Sequence, residues 1–120
     1  MNKDEILDGL KVAESSLNIK LTNKYKQFSS EEIKDTDTYE IQTPQGDTVY
    51  LYNYKDIVER NETYTIQDVE PDYLLIGQDG DLGYFINVKD NSELVYSLDL
   101  GALGSLDMDE EAKDIYKLSA

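Results

Sequence analysis

The sequence contains no cysteine and no histidine. Without cysteine there can be no disulfide, no thiolate nucleophile and no Cys-ligated zinc, a composition that suits a reducing compartment. Without histidine there is no Ser-His pair, no imidazole base and no His-ligated metal, which excludes many enzyme designs. Long apolar runs are lacking as well. No segment approaches the roughly 18 apolar residues of a membrane span, and charges interrupt the opening M-N-K-D-E-I-L-D, so the expected location is the cytoplasm.

Positive charge is the next scarcity. Eleven basic residues face 26 acidic ones, a net charge of −15. Residues 1–60 hold 12 acidic and 8 basic groups, whereas residues 61–120 hold 14 and 3. A field of this sign repels nucleic acid and anionic lipid and attracts cationic partners at a salt-dependent rate. Solubility alone accounts for such a charge equally well.

What is present reads as one domain over residues 1–120. Ile6, Leu10, Ala13 and Leu17 lay one stripe on a helix from Lys3 to Leu17, with Asp4, Glu5 and Asp8 early and Asn18 suited to a left-handed stop. Thr22 stands where it can cap a second, shorter helix carrying Tyr25 and Phe28, and Ser29 to Asp37 reads as an exposed connection. Tyr39–Thr43 and Thr48–Tyr52 form a hairpin across Pro44-Gln45-Gly46-Asp47. Asn53 precedes a brief helix over Tyr54–Arg60, and Asn61–Glu70 reads as a polar connection.

The organising stretch is Pro71–Leu100. Three apolar runs, Tyr73–Ile76, Leu82–Val88 and Leu94–Leu98, alternate with a tight turn at Asp79-Gly80 and a looser one at Lys89–Ser92, giving three antiparallel strands. Leu82, Tyr84, Ile86 and Val88 fall on one face by period, as do Leu94, Tyr96 and Leu98, and together they are expected to make the sheet's apolar face. Beyond Leu100, Asp107 and Glu110 have capping-box spacing before Ala112, Ile115 and Leu118, which predicts a last helix. The expected fold is α+β: an antiparallel sheet of about five strands with N-terminal helices, a short middle helix and a C-terminal helix.

Glu14-Ser15-Ser16-Leu17-Asn18-Ile19-Lys20-Leu21-Thr22-Asn23-Lys24-Tyr25-Lys26-Gln27-Phe28 is similar to the E-x-x-L-G-x-x-L-P-x-x-Y-x-x-F pattern of the SUKH superfamily. Asn18 and Thr22 stand where that family favours Gly and Pro. Leu51–Ile57 resembles its strand-then-helix step, Leu75–Asp81 its I-G-x-D-G element and Leu94–Asp99 its V-Y-x-x-D strand. The family includes the yeast cell-wall-synthesis regulator domain and many bacterial immunity proteins. The resemblance implies an immunity protein that binds and blocks a toxin, often a nuclease; taken with the composition, the expectation is a non-enzymatic antitoxin with no cofactor or metal.

A nuclease must carry a cationic surface to hold phosphate, so charge and resemblance point the same way. The candidate contacts are Asp79 and Asp81 at the hairpin, Asp99 at the strand end, and Asp107, Asp109, Glu110 and Glu111, with Tyr50, Tyr52 and Tyr84 as anchors. Each has a plainer explanation in turn geometry, helix capping or core packing. Asp107-x-Asp109-x-Glu111 lacks the glycine and distant glutamate of a calcium loop. Two other readings fit the composition: a regulatory or scaffolding module that binds a cellular protein, and a phage-type acidic inhibitor of DNA-binding proteins. The oligomeric state is not encoded in any of these features.

Overall fold

A computed structural model of the chain describes residues 2–119. Helix α1 spans Lys3–Leu17, and Ile6, Leu10, Ala13 and Leu17 are its buried stripe. Asn2 and Glu5 close a reciprocal capping box at its start, and Asn18, at φ 54°, ends it in the left-handed region that asparagine tolerates.

Helix α2 spans Asn23–Phe28 and runs on into a π-helical turn at Ser29–Ile33. That turn corrects the expected exposed connection, because Ser29, Ser30 and Ile33 are buried. Thr22 occupies the position before α2 but makes no capping bond. The cap comes from far along the chain: Asn91 Oδ1 accepts from the Asn23 amide at 3.0 Å, and Glu93 Oε2 from the Lys24 amide at 2.9 Å.

Six strands form one antiparallel meander in chain order: β1 (Tyr39–Gln42), β2 (Thr48–Leu51), β3 (Tyr73–Asp79), β4 (Leu82–Asn87), β5 (Val95–Asp99) and β6 (Asp109–Ala112). The architecture is therefore α+β on an antiparallel sheet, with one strand more than expected. Gly80, at φ 59°, supplies the left-handed residue of the tight β3–β4 turn.

The predicted C-terminal helix is present but shorter than expected, because the residues read as its start form the sixth strand. Asp109–Ala112 pairs along the outer edge of β5, with Val95 opposite Ala112 and Ser97 opposite Asp109. Only Ile115–Leu118 is helical (α5), and its cap is Asp114, not Asp107. Burial of Ala112, Ile115 and Leu118 is satisfied by a strand followed by one turn as well as by a continuous helix, and the open edge of β5 decides between them.

Register also corrects the expected apolar face. Ile86 stands opposite Leu74 and Val95, while Phe85 stands opposite Leu75 and Tyr96. The Leu82-Tyr84-Ile86 row is therefore continued by Val95 and Ser97, and Leu94, Tyr96 and Leu98 belong to the other face. Both faces of the central strands are covered, since Leu74, Leu75, Tyr84, Phe85 and Ile86 are all buried. On the Tyr84 face, Phe28 of α2 packs edge-on against Tyr39 of β1 and Tyr116 of α5. On the other, Leu100 lies over Gly83 beside Phe85.

The middle of the chain is more ordered than its polarity suggests. Asn53 Oδ1 accepts from the Lys55 and Asp56 amides and leads into α3 (Asp56–Thr63), which runs beyond the expected end at Arg60. A further turn, α4 (Ile66–Val69), buries Ile66 in place of the expected loop. Because β2 pairs with β3 only at Tyr50–Gln78 and Leu51–Gly77, the rest of that edge of β3 needs other partners. Asn61 and Gln67 provide them: Asn61 bonds both the amide and the carbonyl of Leu75, and Gln67 Nε2 donates to the Tyr73 carbonyl.

Candidate functional site

In a six-stranded meander the first, third and fifth connections lie at one end of the sheet. Here these are residues 43–47, 80–81 and 100–108, and none of them holds a lysine or arginine. Asp47, Asp79, Asp81, Asp99, Asp107 and Asp109 belong to these connections or to the strand ends beside them, and all six are exposed. The other two connections, residues 52–72 and 88–94, carry Lys55, Arg60 and Lys89, and the longer of them reaches back along the sheet, so that Arg60 lines a cleft with Gly80 of the β3–β4 turn.

Pairing fixes which of these groups share a face. Asp79 stands opposite Leu82, and Leu82 opposite Asp99, so the two carboxylates flank one residue on adjoining strands, roughly 10 Å apart. Asp109 stands opposite Ser97, and Ser97 opposite Tyr84, which brings Asp109 to the same face. Glu111 comes there too, as the acceptor of the Ser97 hydroxyl at 2.6 Å.

Tyr84 senses this assembly. Its phenol is pushed up to about 12, first by burial and then by the charges of Glu111, Asp47 and Asp79. Asp47, which sequence reasoning passed over as turn chemistry, is thus part of the acidic face. Its placement depends on the strand order of the meander, which sets the Pro44–Asp47 turn beside the Gly80 turn.

The remaining candidates separate. Glu110 stands opposite Tyr96 on the other face and accepts from Lys113 Nζ at 2.9 Å. Asp99 Oδ1 accepts from the Gly101 amide at 2.8 Å, so one of its oxygens is engaged in holding the turn. Tyr52 and Tyr84 are each 2% exposed and belong to the core, which corrects their expected place as contact anchors. Tyr50 is half-buried, and its hydroxyl donates to the Asp37 carbonyl. Leu106, in the connection that leads to Asp107, is 66% exposed, two residues beyond Gly104, which lies against Val69 of α4.

Tyr50 and Tyr52 pair with the face opposite Tyr84. Their rings lie 6.1 Å apart, and the Tyr52 hydroxyl donates to Gln78 Oε1. Burial raises the Tyr52 phenol well above the usual range, against the pull of the nearby Arg60 charge. Arg60, the sequence's only arginine, was also passed over; its signal was its uniqueness.

Chemically, the acidic face can attract and hold cations spread over a protein-sized surface. Among the described residues no group of three or more carboxylates is placed to hold a metal ion. Among them, too, no helix is long and apolar enough to cross a membrane. No family model matches the chain, and no curated protein sequence matches it.

Proposed function

We propose that the chain is a non-enzymatic immunity protein of SUKH type, which binds a cationic toxin in the cytoplasm and blocks it by occupying its basic surface. The observation that carries this reading is the gathering of Asp47, Asp79, Asp99, Asp109 and Glu111 on one face at one end of the sheet, in connections devoid of lysine and arginine. Exposed carboxylates fixed on strand ends attract a basic surface from a distance and set its orientation on arrival. A toxin that holds nucleic-acid phosphates carries such a surface.

Inhibition then follows from occupancy alone. The inhibitor breaks no bond and needs no cofactor.

The test is co-expression with the toxin-like product of the adjoining reading frame. The expected result is restored growth and a stoichiometric complex that survives gel filtration. Growth arrest with no complex would remove the reading in favour of a scaffolding module. Inhibition of several unrelated DNA-binding proteins would instead support a general mimic of nucleic-acid charge.

A further inference from the structure

On the face opposite Tyr84, the ends of β2 and β3 and the start of α3 enclose a cleft of about 390 Å3, lined by Tyr50, Tyr52, Asp56, Glu59, Arg60 and Gln78. Its neutral groups are already paired. The Tyr52 hydroxyl donates to Gln78 Oε1, Gln78 Nε2 donates to the Gly80 carbonyl at 2.9 Å, and the Tyr50 hydroxyl donates to the Asp37 carbonyl.

Its charges are not. Asp56 and Arg60 are four residues apart on α3, a spacing at which opposite charges commonly pair. Yet among the described residues no ion pair or side-chain hydrogen bond engages the Arg60 guanidinium. Arg60 is half-buried, and a guanidinium with five unused donors is matched, by shape and charge, to a carboxylate.

A free anion is a poor candidate for the occupant. The chain's net charge is −15, and Asp56 and Glu59 stand in the same cleft. A carboxylate that arrives beside basic groups meets neither obstacle, because the basic groups are drawn in by the field and received by Asp56 and Glu59.

We propose that this cleft recognises an acidic side chain of a protein partner, flanked by basic residues, with Arg60 holding the carboxylate and Asp56 and Glu59 the flanking cations. This rests on the toxin-binding reading only in taking the partner to be basic overall. The division of labour that follows is that the acidic face supplies attraction and the cleft supplies selection. A uniformly basic segment meets Arg60 as a like charge and is disfavoured.

Two labelled peptides test this: acetyl-Lys-Lys-Glu-Lys-Lys-amide and its glutamine counterpart, acetyl-Lys-Lys-Gln-Lys-Lys-amide. Simple attraction to an acidic protein ranks the glutamine peptide first, since it carries one more net positive charge. The cleft reverses that order, and the wild type should bind the glutamate peptide about tenfold more tightly, as one charge-assisted pair allows. Arg60→Gln should abolish the preference, and Arg60→Lys, which keeps the charge without the fork, should restore only part of it.

Equal binding of the two peptides, tighter binding of the glutamine peptide, absence of binding to either, or an unchanged preference in Arg60→Gln would each overturn the proposal. Replacing Asp47, Asp79, Asp99 and Asp109 by Asn separates the two readings. Weaker binding of both peptides with the preference retained supports both. A preference that depends on Arg60 while those four substitutions change nothing upholds the cleft and counts against the acidic face.

Discussion

The side-chain amide of Asn61 takes the place of a neighbouring strand at Leu75. Asn61 Oδ1 accepts from the Leu75 amide at 2.9 Å, and Asn61 Nδ2 donates to the Leu75 carbonyl at 2.9 Å and to the Ile57 carbonyl at 2.7 Å. Asn61 is fully buried, so water cannot replace these bonds. Asn61→Leu, similar in size, leaves the buried amide and carbonyl of Leu75 without partners, whereas the Ile57 carbonyl keeps its bond within α3. Each such group costs about 1–3 kcal/mol, and the summed loss should be on the order of 3 kcal/mol. A urea melt measures it; a midpoint within error of wild type would show that the amide is not what holds α3 to the sheet.

The short β2–β3 pairing is the sheet's most vulnerable seam. A Cβ at Gly77 would come within 2.5 Å of the Tyr50 carbonyl oxygen and 2.9 Å of Leu51 Cδ2. Backbone cannot yield as a flexible side chain can, so Gly77→Ala should push the two strands apart and destabilise by about 1–3 kcal/mol. The Tyr52 amide, bonded to the Ile76 carbonyl at 3.0 Å, reports this directly. Its hydrogen exchange should accelerate more than that of β4 amides, and uniform exchange would contradict the seam.

Acid should act through Asp114. Burial alone would raise its carboxyl, but Lys24 at 3.0 Å and the amides of Lys117 and Tyr116 outweigh burial and hold it below the usual range. A carboxyl depressed on folding contributes stability that is present above its unfolded pKa, near 4, and is lost as pH falls through the folded value. Asp114→Asn should therefore be less stable than wild type at neutral pH, with the gap closing below about pH 4. Denaturation midpoints across that range provide the check, and a constant gap would rule out the linkage.

Alkali should act through Tyr84. A phenol raised on folding contributes stability that is complete below its unfolded pKa, about 10, and is lost as pH climbs through the folded value, about 12. Tyr84→Phe should flatten the decline in stability across that window and remove one late step from the tyrosinate absorbance titration. If the step lost were one near pH 10, neither burial nor the charges of Glu111, Asp47 and Asp79 would be raising this phenol.

Periodicity made α1 and the three central strands legible, because each is long enough for its apolar residues to repeat. The same repeat misread Ala112, Ile115 and Leu118. Three buried positions at spacing three fit a helix, and only the unpaired edge of β5, a tertiary fact, draws Asp109–Ala112 into a strand. Asn61 and Gln67 left no trace in the sequence, where buried amides that complete a β-ladder look like an ordinary polar loop. Of the acidic residues, Asp79, Asp81 and Asp99 could be placed from their turns. That Asp47 and Asp109 join Asp79 and Asp99 depended on strand order and register, which single-sequence patterning does not carry.

The most direct measurement is the association rate between this protein and a cationic protein that co-purifies with it, followed by stopped flow as salt is raised. With Asp47, Asp79, Asp99 and Asp109 replaced by Asn, the rate at low salt should fall at least about tenfold and its salt dependence should flatten, while dissociation changes less. An association rate and salt slope matching those of the wild type would contradict capture by the acidic face.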